Sequence, residues 1–425
     1  MSIKIALLGC GTVGTQVARL LRQNKELLSA RAGAELELIG ICVANLDAQR
    51  DPAIDRSLLT TNAYDLIEQA DIVIELIGGV DLPRALIRHA LESGASVVTG
   101  NKALLAEHGP ELYDLAKAKN VDLYYEAAVA GAVPVVYAVR ESLAGDSIKA
   151  IKGILNGTTN YILDEMTTKG LTFDAVLASA QELGYAEADP TADVQGLDAA
   201  AKIAILASLA FHKRVSLADV DVEGITSITA EDIVAAKKNG YVIKLVATAA
   251  QTDGKVEVRV APSLVPACHP LASIAGSFNA VVIEAESADR LMFYGRGAGG
   301  APTASAVLSD VVAAAAKKVL GGRAPQEIVL GETAFMDRGE SVSRYFVRLR
   351  VKDIVGVLAE VTAAFAQAGV SISAVSQEKS DEAGVAAVAI TTHAASAADM
   401  AATIEAVEQV RDVHEVVRVL RVEDE

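Results

Sequence analysis

The stretch IKIALLGCGTVGTQVARLL, residues 3–21, decides the fold. Residues 3–8 are a short, almost wholly apolar run that enters a glycine turn, the pattern of a strand buried on both faces. Gly9, Gly11 and Gly14 follow in the order G-x-G-x-x-G, with Thr12 and Val13 inside the turn, and TVGTQVARLLRQNKELLSA reads as a helix. The first glycine makes the turn, the second lets backbone approach a pyrophosphate, and the third lets the helix pack close to the strand. The helix N-terminus then offers unpaired N–H groups to the phosphates. Alone the motif also fits a bland tight turn; its place between a strand and a helix is the context that a dinucleotide fingerprint requires.

Working outward, AELELIGICVA, ADIVIELIG, SVVTG and VDLYYEA read as further strands. They alternate with the helix-like runs PRALIRHALESG and KALLAEHGPELYDLAKAKN, the first punctuated by Pro83 and Gly94. Alternation predicts a parallel sheet covered on both faces, a doubly wound Rossmann-type domain over residues 1–135. Beyond it the alternation lapses. SIKAIKGILN is strand-like, 172–183 and 197–213 are helix-like, and YVIKLVATAAQTDGKVEVRVAPSLV holds two strands around TDG, a hairpin signal. We expect an α+β domain over 136–299. The glycine loop YGRGAGGAPTA leads into an Ala/Val-rich helix, so 300–325 is expected to return to the first domain. From 344 to 425, RYFVRLRV, VGVLAEVTAAFAQAG, VSISAVSQEKS, GVAAVAITTH, SAADMAATIEAVEQV and VHEVVRVLRV give the order βαββαβ, a separate ferredoxin-like unit.

Composition narrows the function. At 425 residues the chain is too long for one ordinary core, and 52% hydrophobic with 22% charged residues means a folded protein. The net charge of −17 repels phosphate backbones, so nucleic acid is not an expected partner, and an anionic cofactor must be met by local backbone dipoles. Three scattered cysteines, Cys10, Cys42 and Cys268, imply no disulfide framework, and the histidines form no zinc pattern. No uninterrupted apolar run reaches about 18 residues, so no membrane span is expected and the cytoplasm is the default compartment.

Several clusters carry chemistry, each with a plainer alternative. An acid at the end of the second strand would hold a ribose diol and an arginine a 2′-phosphate; here Asn45 stands, with Asp47 and Arg50 further on, so NAD and NADP both stay open. Lys102 follows a strand end, where such sheets bind ligands, but equally fits a surface lysine. The small-residue segment YYEAAVAGAVPVV, with Glu126, could aim carbonyls at a hard cation or simply pack as a crossover. In GILNGTTNYIL, the turn Asn156-Gly157-Thr158 serves as a helix cap or as a cradle for a substrate carboxylate. YAEADPTADVQGLDAAAK crowds Glu187, Asp189, Asp193 and Asp198 ahead of Lys202. Asp198 and Lys202 share one face at i and i+4, as a solvated ion pair would. Yet the helix is nearly all apolar, and a buried lysine needs a partner and can donate a proton to a developing alkoxide. The neighbouring acids suit an ammonium-bearing substrate. Cys268 beside His269 suggests a thiol–imidazole pair, but adjacent residues rarely face each other and prolines flank them.

LLGCGTVG, GNKALLAEHG, GILNGTTNYIL, LGYAEADPTADVQGLDAAAK and YGRGAGGAPTA stand in the order and spacing of the homoserine dehydrogenases, which the chain resembles over essentially its whole length. The C-terminal unit resembles an ACT regulatory domain, with DIVGVLAEV at the ligand position around Gly356. The resemblance implies NADPH- or NADH-dependent reduction of L-aspartate 4-semialdehyde to L-homoserine, on the route to threonine, methionine and isoleucine. It implies that Lys202 is the proton donor with Lys102 assisting, that Glu187 and Asp198 hold the substrate, and that Asp193 supports them. Gly184 and Gly299 match loop glycines near the cofactor. Glu126 with the carbonyls of Val129, Gly131 and Val133 matches a structural monovalent-cation site, usually sodium. Feedback by threonine, a homodimer or homotetramer, and a substrate-binding and dimerisation role for 136–299 are implied as well. Two other readings compete: aspartate-semialdehyde dehydrogenase chemistry, for which Cys268 would be the nucleophile, and a non-catalytic amino-acid sensor.

Overall fold

A computed structural model describes residues 2–379 and 382–424. Ser380, the last residue of one expected strand, lies outside them, as do Met1 and Glu425 at the ends of the outer domains. The first sheet is six-stranded and all parallel, in the order Leu59–Thr60, Glu35–Cys42, Ser2–Leu8, Ile72–Glu75, Ser96–Thr99, Leu123–Tyr124. The chain starts in the middle and winds outward both ways, so the crevice beyond the C-terminal ends of Ser2–Leu8 and Ile72–Glu75 is the switch point where ligands bind. The apolar run of the first strand explains its place: Ile3, Ile5 and Leu7 pack on one face and Ala6 and Leu8 on the other, all fully buried. Helices Asp81–Glu92 and Lys102–Lys119 cover one face, and helix Thr12–Gln23 the other.

Two expectations are corrected. The run from Thr12 is not one helix but two, Thr12–Gln23 and Lys25–Ala32, broken where Asn24 leaves helical geometry. The two-residue strand Leu59–Thr60 and the helix Ala63–Ile67 were not anticipated. The returning helix forms as expected: Gly300–Val319 packs beside Thr12–Gln23, with Val307, Val311 and Ala314 joining the same core.

The second sheet follows the path Asp289–Arg296, Phe278–Ala285, Ile148–Ile154, Tyr241–Thr252, Lys255–Pro266, Val413–Val422, Val342–Lys352, Val385–Thr392, Ile372–Lys379. Its first five strands are antiparallel neighbours backed by the apolar helix Leu197–Phe211. Its last four are the βαββαβ unit, whose own core includes Val347, Leu349, Val361, Phe365 and Ile390. The unit does not stand apart from the rest. Ser263 and Leu264 pair in parallel with Arg421 and Val422, and Glu423 donates its N–H to Leu264 at 2.8 Å. Charge fixes the junction: Asp232, almost fully buried, receives Arg348 and Arg418, and buried Glu423 lies 3.1 Å from Lys152. Among the described residues no helix is long and apolar enough to cross a membrane.

Candidate active site

The first sheet presents its switch-point crevice to the end of the second sheet, and the expected site residues meet between them. A cavity of about 540 Å³ there is lined by Lys102, Gly157, Thr158, Gly184, Glu187, Asp193, Asp198, Lys202 and Gly299, among others. Lys102, Glu187, Asp193 and Asp198 also wall a second cavity of about 770 Å³ on their far side. Lys102 arrives on a helix that Asn101 caps by accepting the Leu104 N–H at 3.1 Å. Asp198 and Lys202 arrive together on Leu197–Phe211, where the i, i+4 spacing puts them on one face.

Asp198 is the hub. Its Oδ2 accepts Lys202 Nζ at 2.6 Å and Asn156 Nδ2 at 2.9 Å, and its Oδ1 lies 2.8 Å from Lys102 Nζ. Lys202 Nζ also donates to the Leu155 carbonyl at 2.7 Å. Asp198 and Lys202 are buried, whereas the Lys102 side chain is 45% exposed. Burial alone would raise the Asp198 carboxyl, but Lys202 and Lys102 hold it well below the usual carboxylate range. Burial works against the Lys102 ammonium, yet Asp198, with Asp193 and Glu187 behind it, raises its pKa. Asp193 shifts the other way from Asp198: burial raises it, and the charge of Asp198 adds to the effect.

Sequence reasoning missed the Leu155 carbonyl and Asn279, and saw only half of what Asn156 does. Asn156 does cap the helix Gly157–Lys169, its Oδ1 accepting Thr159 N–H at 2.8 Å, but its Nδ2 also binds both Asp193, at 2.6 Å, and Asp198. The Leu155 carbonyl is invisible to side-chain patterns. Buried Asn279 donates to that carbonyl at 2.9 Å, and nothing in its strand sequence signals it. Thr158 Oγ1 donates to the Tyr185 carbonyl at 2.7 Å, which ties the acid-rich loop to the helix start.

The glycine turn has the geometry its spacing predicts. Gly9 adopts φ +98, and a Cβ on it would lie 2.4 Å from the Leu76 carbonyl oxygen; a Cβ on Gly14 would lie 2.2 Å from the Gly9 oxygen. Around Gly11 a Cβ would meet nothing, and no side chain caps the helix, so space and N–H groups both face outward. Thr12 abuts Gly300, which connects this turn to the cavity loop at Gly299. Asn45 is exposed, and its carbonyl accepts Arg50 Nη2 at 2.8 Å, while Arg50 Nη1 reaches the Cys10 carbonyl at 3.3 Å. A cation rather than an acid thus stands between the second strand's end and the phosphate turn.

Glu126 is buried, and its two carboxylate oxygens accept the N–H groups of Val136, at 3.0 Å, and Tyr137, at 2.7 Å. Burial pushes its pKa up to about 7 and that of neighbouring Asp310, whose Oδ2 accepts the Glu126 N–H, to about 8. Ala130 and Gly131 are both left-handed, and among the described residues no hydrogen bond reaches the carbonyls of Val129 and Gly131. The Val133 carbonyl accepts the Val135 N–H at 2.8 Å. The Val129 and Gly131 carbonyls are therefore the ones available as cation ligands. The Cys268–His269 pair does not form: His269 Nδ1 turns back to accept the Leu271 N–H at 3.1 Å, and Cys268 lines neither cavity.

Comparisons with known proteins show the family. The family model for the NAD-binding domain of homoserine dehydrogenase matches residues 9–126, that for homoserine dehydrogenase matches 134–312, and that for the ACT domain matches 345–412. The chain is 53% identical to the homoserine dehydrogenase of Corynebacterium glutamicum over 388 residues, 90% of this chain and 87% of the relative. It is 41% identical to that of Bacillus subtilis over 383 residues, 88% of each. The crystal structure of the Thiobacillus denitrificans homoserine dehydrogenase superposes with a TM-score of 0.94 at 38% identity, over 100% of this chain and 99% of that one. A hyperthermophilic archaeal homoserine dehydrogenase in complex with NADPH gives a TM-score of 0.64 at 26% identity, over 77% of this chain and 100% of that one.

Proposed function

The chain belongs to the homoserine dehydrogenase family, and from that premise we propose how its residues carry out the NAD(P)-dependent interconversion of L-aspartate 4-semialdehyde and L-homoserine. The observation that carries the assignment is Asp198 holding two ammonium groups, at 2.6 and 2.8 Å, at the wall of the cavity. A bound nicotinamide supplies or takes the hydride at the substrate's aldehyde carbon. Lys202 supplies the proton to the carbonyl oxygen and stabilises the charge that develops there, and Lys102 assists. Asp198 keeps both ammoniums aimed. Glu187 and Asp193 face the substrate ammonium together with Asp198, and the N–H groups of Gly157 and Thr158, at the start of a helix, face its carboxylate. Gly9, Gly11, Thr12, Val13 and Gly14 take the pyrophosphate, with Asn45 at the adenosine end and Gly184 and Gly299 at the cavity end.

Arg50 supports NADP(H) over NAD(H), because a guanidinium there suits a 2′-phosphate. Glu126, Val129, Gly131 and Val133 are proposed to hold a monovalent cation, sodium by family resemblance. We propose the division 1–135 with 300–325, 136–299 and 344–425, supported by the separate parallel sheet of the first unit and the separate core of the last, and the cytoplasm fits three free cysteines. The ACT domain points to an amino-acid effector, and we propose threonine, bound near Gly356. That residue adopts φ +101 at the start of helix Val357–Gln367 beside exposed Ile354 and Val355. The edge strand Ile372–Lys379 is open to pair with a second copy in a homodimer or homotetramer.

The decisive experiment measures homoserine-dependent reduction of NADP and NAD by the purified chain, with and without threonine. Turnover excludes the sensor reading; its absence with both cofactors refutes the assignment. Retained turnover in Cys268→Ser excludes a thiol nucleophile.

A further inference from the structure

Glu75 is a carboxyl with no exposed surface at the C-terminal end of strand Ile72–Glu75, the strand that borders the switch point. Burying a carboxyl costs several kcal/mol unless its oxygens are satisfied, so its partners show what it is for. Oε2 accepts the Thr99 hydroxyl at 2.6 Å, and Oε1 accepts the Ile77 N–H at 2.7 Å. The Gly78 N–H and the Asn101 side chain also bear on it. The same groups hold one another. Asn101 N–H donates to Thr99 Oγ1 at 3.0 Å, and Asn101 Nδ2 donates to the Gly79 carbonyl at 2.8 Å. Asn101 Oδ1 caps the helix whose first residue is Lys102. On the other side, Leu76 N–H donates to Leu8 at 2.8 Å, and the Leu76 carbonyl is the atom against which Gly9 must pack without a Cβ. Glu75 lines neither of the two site cavities.

We propose that Glu75 is a positioning residue for the hydride-transfer site. Its carboxyl ties the turn Ile77–Gly79, next to the phosphate turn, to the turn Thr99–Lys102, and so fixes where Lys102 meets Asp198. Two neighbouring strand ends would otherwise carry independent loops. A shared buried acceptor makes them one body, so the placement of Lys102 and the shape of the cofactor crevice are set together. The inference rests on the assignment of Lys102 to the reaction.

The test is steady-state kinetics with homoserine on Glu75→Leu, Glu75→Gln and Thr99→Val, each alone and in a Lys102→Ala background. Glu75→Leu and Thr99→Val are expected to lower kcat by about tenfold or more, with little change in KM for homoserine, since small misplacements of a catalytic group cost this much. Glu75→Gln, which keeps an acceptor for the Ile77 N–H, should recover most of the loss. In the Lys102→Ala background the further loss should shrink to within about twofold, because residues acting through one group are not additive. Thr99→Val carries the test if Glu75→Leu does not fold. Equal fold losses in both backgrounds, or wild-type kcat with only a lowered Tm, overturn the proposal and leave the Lys102 assignment standing. No loss in Lys102→Ala itself overturns both.

Discussion

Lys202→Met removes the ammonium while keeping most of the side chain's bulk, and the structure sets the size of the effect. The Lys202 side chain is 10% exposed, so solvent screening takes little from its interactions. An ammonium has three donors, and two are spent on Asp198 and the Leu155 carbonyl, leaving one for the substrate oxygen. Loss of a positioned general acid costs about 10²–10⁴ in rate, or about 3–5 kcal/mol at 1.36 kcal/mol per decade. Stability should fall less. Stripping one partner from a buried ion pair costs about 3–5 kcal/mol when the other charge is orphaned. Here Asp198 keeps Lys102 at 2.8 Å and Asn156 at 2.9 Å, so about 1–3 kcal/mol is expected. Turnover is followed by the absorbance of the reduced nicotinamide, cofactor binding by its fluorescence, and stability by denaturant titration. Cofactor affinity should hold, because Lys202 touches nothing in the glycine turn. Turnover within about tenfold of wild type would refute the assignment, as would a loss confined to cofactor affinity.

Lys102→Ala should lower kcat less than Lys202→Met, because this lysine is 45% exposed and water can partly replace it; an equal or larger loss would transfer the proton-donor role to Lys102. Arg50→Ala should raise KM for NADPH by about tenfold or more and leave KM for NADH almost unchanged, a contrast read from initial rates with both cofactors. Gly14→Ala places a Cβ 2.2 Å from the Gly9 oxygen, so it should weaken binding of both cofactors alike, measured by fluorescence titration. Glu126 sits near a pKa of about 7, raised above its unfolded value by burial. The protonated form therefore favours the fold at low pH, and this contribution fades as pH rises through about 7. A cation that offsets the charge should raise Tm more about one unit above that pH than one unit below, and sodium that stabilises equally at both would count against the site.

The legible parts of the sequence were those in which spacing alone fixes geometry. G-x-G-x-x-G fixes a turn because each glycine answers a steric demand, and Gly9 and Gly14 meet theirs within a few ångströms of backbone oxygens. Asp198 and Lys202 are one turn apart on a helix, so their contact needs no long-range information. What the sequence hid depends on distant backbone. The Leu155 carbonyl has no side-chain signature, and Arg50 reaches Cys10 across 40 positions. The union of the two antiparallel blocks into one sheet hangs on two parallel pairs, Ser263 with Arg421 and Leu264 with Val422, too short a match for any pattern to announce. Asn156 was readable only in half: cap and site were posed as alternatives, but a carboxamide has two ends, and each does one of the two.

The crowding of acids before Lys202 now has an electrostatic logic. Asn156 donates to Asp193 and Asp198 from one amide nitrogen, so the two carboxylates are held side by side, where like charges oppose full ionisation of both. The lysines break the symmetry. Asp198, facing both, is driven low and stays charged; Asp193 is driven up by its burial and by its negative neighbour. Pairs of groups pushed apart in this way divide their roles. Asp198 is spent on keeping two ammoniums in place at the cavity wall, so each lysine has a fixed position. Lys202 Nζ, buried and with one donor left over, faces the carbonyl oxygen as it gains negative charge. Asp193→Asn should therefore cost binding of the substrate ammonium, seen as a raised KM for homoserine, and leave kcat nearly intact. Asp198→Asn should collapse kcat, because Lys202 would then be a buried ammonium without its paired anion and neither lysine would be held in place. Equal effects of the two substitutions on kcat would contradict this division.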